Sequence, residues 1–282
     1  MDSLKTRTIT AISFGIVIIL STLLSNLSSL IFYTLLSVLM LNEYFDITLS
    51  NETKRINFLI RKYTYLLISI IPIIAFISFK FGFLTDYIKL TPLLIIYFVP
   101  YYIELRDYNS KPFQNIGFLL NAHLYIILPT IILIHLSVKG LDGRFLIMAI
   151  MLLIWANDVF AYLGGKYFGK NKIFPIISPN KTKEGLIFGF LCTLIWGIVS
   201  YFLWFYLHFE LYEWIIISIF VSIGAIVGDL IESLLKRSLK LKDTGNILPG
   251  HGGFIDRMDA FYFTIPLIFY LIIFVLNAKQ YL

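Results

Sequence analysis

Charge is what this 282-residue chain has least of, with Asp, Glu, Lys and Arg together making up 14%. Soluble domains carry about 25%, so the shortage excludes an ordinary water-soluble fold. Cysteine is nearly absent as well. The single Cys192 lies in an apolar run, which excludes a disulfide framework and a thiolate metal site. No internal repeat and no low-complexity linker marks a domain boundary. Lys5 and Arg7 precede an apolar run, but no small-residue cleavage site is clear and further apolar runs follow. The expectation is a retained first helix, not a removed leader.

What the chain has is apolar: 59% of its residues are hydrophobic and its mean hydropathy is +0.84. The apolar residues form blocks, some about 20 residues long, the length that crosses roughly 30 Å of hydrocarbon. A transmembrane barrel would show short alternating segments instead. The expected fold is therefore all-α: a polytopic transmembrane bundle of about nine helices. They are predicted at about 8–24, 29–49, 64–79, 88–103, 116–136, 145–163, 186–206, 214–235 and 260–277. The third and fourth are short and carry Pro72, Pro92 and Pro100. One integral membrane domain covers 1–282, with N-terminal helices over 1–140 and catalytic helices and cytoplasmic loops over 141–282.

Loop charges set the expected orientation. Lys5 and Arg7 precede the first helix, and Lys54, Arg55, Arg61 and Lys62 fall between the second and third. Lys166, Lys170, Lys172, Lys181 and Lys183 fall between the sixth and seventh, and Lys236, Arg237, Lys240, Lys242 and Arg257 between the eighth and ninth. The loop between the seventh and eighth carries Glu210 and Glu213 instead. Nine alternating helices with the N-terminus inside put every strongly basic loop in the cytoplasm. The net charge of +6 thus reflects orientation and anionic headgroups, and not nucleic acid.

Three polar sites interrupt the apolar pattern. In NDVFAYLGGKYFGKNKIFPIISPNKTKEG, from Asn157 to Gly185, Asn157 and Asp158 lie near the end of an apolar run. An aspartate there faces protein, a partner charge or water; a helix-end acid paired to a nearby lysine is the plainer reading. Gly164 to Asn171 nearly spells a Walker A loop, but it follows an apolar helix, and Asn171 lacks the hydroxyl that would hold magnesium. SPNKTKEG is the better anion candidate. Ser178-Pro179 reads as a turn, Thr182 as a helix cap, and Lys181 and Lys183 stand beside that helix's N-terminus. A basic loop that binds nothing is the alternative.

At the second site Asp229, Glu232, Ser233 and Lys236 are spaced i, i+3, i+4, i+7, on one helical face. An ion-pair stripe would explain that spacing equally. The third site is Pro249-Gly250-His251-Gly252-Gly253 followed by Asp256 and Asp259. Glycines allow a tight turn and close approach to a ligand. The two acids share a face if the last helix begins near Phe254, and could hold Mg²⁺ through oxygen. Acids that cap a helix are the alternative.

Ser233–Asp259, written S-x-x-K-R-x4-K-D-x-G-x2-L-P-x-H-G-G-x-x-D-R-x-D, resembles the signature of the phosphatidate cytidylyltransferases, the CDP-diacylglycerol synthases. NDxxAYxxGxxFGK and SPxKTxEG resemble the same family, so the likeness covers about residues 155–262. The N-terminal half resembles it in hydropathy alone. The resemblance implies condensation of CTP with phosphatidic acid to CDP-diacylglycerol and pyrophosphate at the cytoplasmic side of the cell membrane, in phospholipid biosynthesis. The implied partners are those two substrates and the bilayer, with a homodimer left open. The implied cofactor is Mg²⁺, with room for a second, monovalent cation. The expected catalytic set is Asp229, Lys236, Arg237, Lys242, Asp243, His251, Asp256 and Asp259. The expected substrate-binding set is Asn157, Ser178, Lys181, Lys183, Glu184, Gly252, Gly253 and Arg257. The expected metal ligands are Asp158, Asp229, Asp256 and Asp259. Rival readings are a CTP-dependent lipid kinase, an archaeal-type lipid cytidylyltransferase, a CDP-alcohol phosphotransferase and a transporter. A transporter would favour broken helices at the midplane, and the phosphotransferase's motif is missing.

Overall fold

A bilayer supplies no hydrogen-bond partners, so a spanning backbone must satisfy its own groups, and a helix does so within one segment. The computed structural model describes residues 2–49, 55–82, 96–106, 111–250 and 252–276, and it is helical almost throughout. The helices are α1 (Asp2–Leu24), α2 (Asn26–Thr48), α3 (Arg55–Lys80), α4 (Val99–Arg106), α5 (Pro112–Val138), α6 (Leu141–Phe168), α7 (Lys183–Leu203), α8 (Leu211–Ser238) and α9 (Ile255–Val275). Among the described residues α2, α3 and α5–α9 are long and apolar enough to cross a membrane. Each of α5 and α9 contains one π turn, at His123–Ile127 and Leu271–Val275.

Two corrections concern where polar residues sit. The third helix is longer than its apolar stretch: Arg61 and Lys62 lie inside α3 and not in a loop. Arg61 Nε donates to Glu104 Oε1 at 2.5 Å, and Tyr65 and Asn115 complete that carboxylate's shell at 2.8 and 3.0 Å. Lys62 pairs with Asp46 at 2.5 Å. Glu104 belongs to α4. A hydropathy window counts each charge as a cost and is blind to a partner dozens of residues away, yet pairing is what makes such burial tolerable. Residues 83–95, with the first half of the expected fourth helix, lie outside the described residues. The second correction is a small sheet. Ser178 and Pro179 do not form a turn; they open β2 (Ser178–Thr182), antiparallel to β1 (Lys172–Phe174), and the turn falls at Pro175–Ile177. Proline at the turn and at a two-stranded edge costs the ladder no needed donor.

Packing follows membrane rules. On α7 the buried residues are the small ones, Gly185, Gly189, Thr193, Gly197 and Ser200, while Ile187, Leu191, Ile195 and Phe202 face outward. Lipid solvates large apolar side chains as well as protein does, so close backbone approach drives association. A Cβ on Gly189 would stand 2.8 Å from Ala161 Cβ and 2.9 Å from Asn157 O, which shows how tightly α6 and α7 are joined. Arg144 Nη1 ties the start of α6 to Leu23 O at the end of α1 (2.8 Å). That anchor is at one end of the bundle; the polar sites gather at the other.

Candidate active site

The site is built where the end of α6, the β1–β2 hairpin, the start of α7, the end of α8 and the start of α9 meet. Thr182 caps α7 as expected, its hydroxyl accepting from Gly185 N at 3.2 Å. The helix therefore starts at Lys183, leaving Lys181 on β2 and exposed Lys183 in the first turn. Phe254 is the N-cap of α9, so the helix starts at Ile255, ahead of the apolar run expected at 260–277, and meets the condition set for Asp256 and Asp259.

These elements line a cleft of about 590 Å³ whose walls include Asp158, Lys166, Lys181, Asp229, Arg257 and Asp259. Both polar segments therefore face one space. Lys181 pairs with Asp229 across it, and Arg237 Nε reaches Ile177 O in the hairpin turn at 3.4 Å. A second cavity of about 270 Å³ shares Asp158, Asp256, Arg257 and Asp259 with the first, but its other walls include Phe14, Ile18, Met151, Trp155 and Phe261. A third, apolar one of about 370 Å³ continues past Phe14 and Leu248 to Phe32 and Leu35 on α2. One acidic cluster thus stands between a polar cleft and an apolar trough.

Within the cluster, carboxylate oxygens of Asp229, Glu232 and Asp259 lie within 4.8 Å of one another. Mg²⁺ binds oxygen at 2.0–2.1 Å in an octahedron, so opposite ligands stand about 4.2 Å apart. This donor set fits such an ion after small side-chain movements. Glu232, named in the sequence only for its helical spacing, occupies the place beside Asp229 and Asp259. The signal was present: Asp229 and Glu232 at i, i+3 project to one side of α8.

Asp256 has different company. Its Oδ1 accepts from Lys236 Nζ at 2.9 Å, and its Oδ2 from the amides of Thr244 and Gly253 at 3.0 and 2.8 Å. Lys236 also pairs with Glu232 at 2.7 Å. Gly252 has φ +83°, and a Cβ there would meet Asp256 Oδ2 at 2.5 Å. Only glycine allows both the left-handed backbone and the carboxylate behind it.

The remaining sequence candidates divide. Asn157 is buried and braces three helices: its Oδ1 accepts from Ser222 Oγ at 2.7 Å and Thr193 Oγ1 at 3.4 Å. Glu184 braces the hairpin, accepting from the Lys170 and Asn171 amides at 3.0 and 3.2 Å and from Asn171 Nδ2 at 2.7 Å. Ser178 starts β2, and Lys242 and Asp243 are exposed in the loop after α8. His251 lies outside the described residues. Two residues of the N-terminal half were missed. Tyr125 sits in the π turn of α5 with its hydroxyl buried and unpartnered, within electrostatic reach of Asp259, Glu232 and Asp229. Glu43 on α2 holds the loop before α9.

A model of the Cytidylyltransferase family matches residues 5–275. A phosphatidate cytidylyltransferase of Staphylococcus haemolyticus (strain JCSC1435) is 33% identical over 272 residues, covering 96% of this chain and 99% of the relative. That of Staphylococcus aureus (strain COL) gives the same values. That of Staphylococcus epidermidis (strain ATCC 12228 / FDA PCI 1200) is 32% identical over 270 residues, covering 96% and 99%. A match of this length reaches across the N-terminal helices as well as the motif segments, and with it the chain belongs to the cytidylyltransferase family, as a multi-pass membrane nucleotidyltransferase.

Proposed function

We propose that the protein condenses CTP with phosphatidic acid, releasing CDP-diacylglycerol and pyrophosphate. The observation that carries this reading is the junction of a polar cleft and an apolar trough at Asp158, Asp256, Arg257 and Asp259. A water-soluble triphosphate and a lipid phosphate need such a junction to meet. In the reaction an oxygen of the lipid phosphate forms a bond to the α-phosphorus of CTP. The bond from that phosphorus to the α–β bridging oxygen breaks, and its electron pair leaves with pyrophosphate. A phosphate monoester is already ionised at neutral pH, so no strong base is required.

Bringing two anions together is the main barrier, and fixed cations lower it. Lys166, Lys181 and Arg257 on the cleft wall would receive the triphosphate, with Lys183 at the N-terminus of α7 beside them. Asp229, Glu232 and Asp259 would hold Mg²⁺, with Asp158 nearby, and a bound Mg²⁺ supplies charge neutralisation at the leaving pyrophosphate. Holding both substrates in line supplies much of the rest. Lys236 keeps Asp256 and Glu232 in place. The relatives' name supports this substrate pair.

The test is purified protein with labelled CTP and phosphatidate. Pyrophosphate together with a CDP-lipid is the expected result; a phosphorylated lipid, or no product, overturns it. In the same assay Lys183→Ala is expected to raise the KM for CTP about tenfold, roughly 1.4 kcal/mol, with unchanged thermal stability. Unchanged KM and turnover would leave the SPNKTKEG loop as a basic loop only.

We also infer that the N-terminus and the cleft face the cytoplasm, from the lysine and arginine asymmetry. Asn171 and Asn246 are exposed. Single cysteines at these positions in a Cys192→Ser background should react with an impermeant thiol reagent from the cytoplasmic face alone. Labelling from outside would overturn the orientation.

A further inference from the structure

Glu43 belongs to no motif, yet it is 3% exposed and sits among backbone amides of the catalytic half. Its Oε2 accepts from Phe254 N at 2.7 Å and its Oε1 from Ile255 N at 3.3 Å, and the Thr244 hydroxyl donates to Oε1. The loop is shaped around it. A Cβ on Gly253 would stand 1.8 Å from Glu43 Oε1, and one on Gly245 would stand 3.2 Å from its Cδ. Among the described residues no lysine or arginine pairs with this carboxylate. A buried acid within a membrane bundle is costly, and one without a cation needs another role.

The donors around it show the role. The first turn of α9 has amides with no partner inside the helix. Gly253 N and Thr244 N go to Asp256, while Phe254 N, Ile255 N and the Thr244 hydroxyl go to Glu43. Two carboxylates, one from α9 and one from α2, thus share one loop and one helix end. Asp256 passes the constraint on to Lys236 and Glu232. We propose that Glu43 is a positioning residue: it clamps Thr244, Phe254 and Ile255 so that Asp256 and Asp259 hold their places on the cleft wall. The proposal rests on the cytidylyltransferase reading and adds to it a residue from the half of the chain where no motif was found. A displacement of about 1 Å at a reacting centre can cost on the order of a hundredfold in rate, so a loosened clamp should be felt in kcat and not in nucleotide capture.

Glu43→Gln keeps the shape but puts an amide donor against donors. Thr244→Val removes one donor to Glu43 and leaves the Thr244 N to Asp256 bond intact. Two measurements on detergent-solubilised protein decide the matter: hydrogen–deuterium exchange by segment, and CTP–phosphatidate turnover. Glu43→Gln is expected to speed exchange over residues 253–256 at least about tenfold, with exchange in α7 unchanged. It should lower kcat by about ten- to a hundredfold, with KM for CTP within about threefold. Thr244→Val should act in the same direction, and the double variant should be no worse than Glu43→Gln alone, since both cut one connection. Wild-type protein that forms no CDP-lipid would defeat the reaction reading while the exchange result still judged the clamp. Unchanged exchange over 253–256, or faster exchange with kcat within twofold of wild type, would overturn the proposal. If Glu43→Gln does not insert, Thr244→Val decides by the same two measurements.

Discussion

Asp259→Asn should insert and fold, and yet lose at least about a hundredfold in turnover, roughly 2.7 kcal/mol of transition-state stabilisation. Three carboxylates, those of Asp229, Glu232 and Asp259, converge within 4.8 Å. Lys181 is paired to Asp229 and Lys236 to Glu232, and among the described residues no lysine or arginine is paired to Asp259. Like charges so close disfavour one another. Replacing one by a neutral amide of the same size relieves that repulsion, so the melting temperature in detergent should hold or rise while activity falls. A hard dication binds an amide less well than a carboxylate, so part of the turnover should return at higher Mg²⁺ or Mn²⁺. Asp256→Asn should differ: it breaks the pair with Lys236 at 2.9 Å, so activity and melting temperature should fall together. Near-normal turnover in folded Asp259→Asn would remove that residue from the proposed metal site.

Lys236→Met should produce the largest loss of stability. Lys236 bridges Glu232 and Asp256 at 2.7 and 2.9 Å, and the three side chains are 14%, 1% and 3% exposed. Methionine fills the same volume but leaves two buried carboxylates facing each other without a cation. Removing one partner of a buried pair typically costs about 3–5 kcal/mol; the lower end applies here, because Asp256 keeps the amides of Thr244 and Gly253. The melting temperature in detergent should drop by roughly 5–10 °C. Adding Glu232→Gln should recover a large part of that drop by neutralising the acid left without a partner. A melting temperature within about 1 °C of wild type would show that the bridge contributes nothing to folding.

Much of the site's neighbourhood was legible from local chemistry. Thr182 three residues before Gly185, and Phe254 just before an acid-rich first turn, mark helix starts without any tertiary information. The fixed spacing over Ser233–Asp259 located the polar loop. Partners were not legible in the same way. Asp256 and Asp259 look equivalent in the sequence, but a turn of α9 sends one to Lys236 and two amides and the other to Asp229 and Glu232. Arg61 and Lys62 looked like loop charges because Glu104 and Asp46 are remote in sequence. Glu184 was expected among the substrate-binding residues, and nothing in the sequence signals that its carboxylate accepts from the Lys170 and Asn171 amides just before β1.

Glu43 is the sharpest case of the difference. Composition and run length alone determined that this chain is a helical membrane protein, because lipid leaves the backbone no other way to satisfy its hydrogen bonds in single apolar segments. The order of polar residues determined which loops were expected to carry chemistry. Tertiary structure decided which acids converge, which are neutralised by lysine, and that a glutamate on α2 completes a loop more than two hundred residues later. The physical reason is range. Hydropathy and helical periodicity act over a few turns and can be read along the chain. The energy of a buried charge is set by the distance to its partners in space, and that distance exists only once the helices have packed.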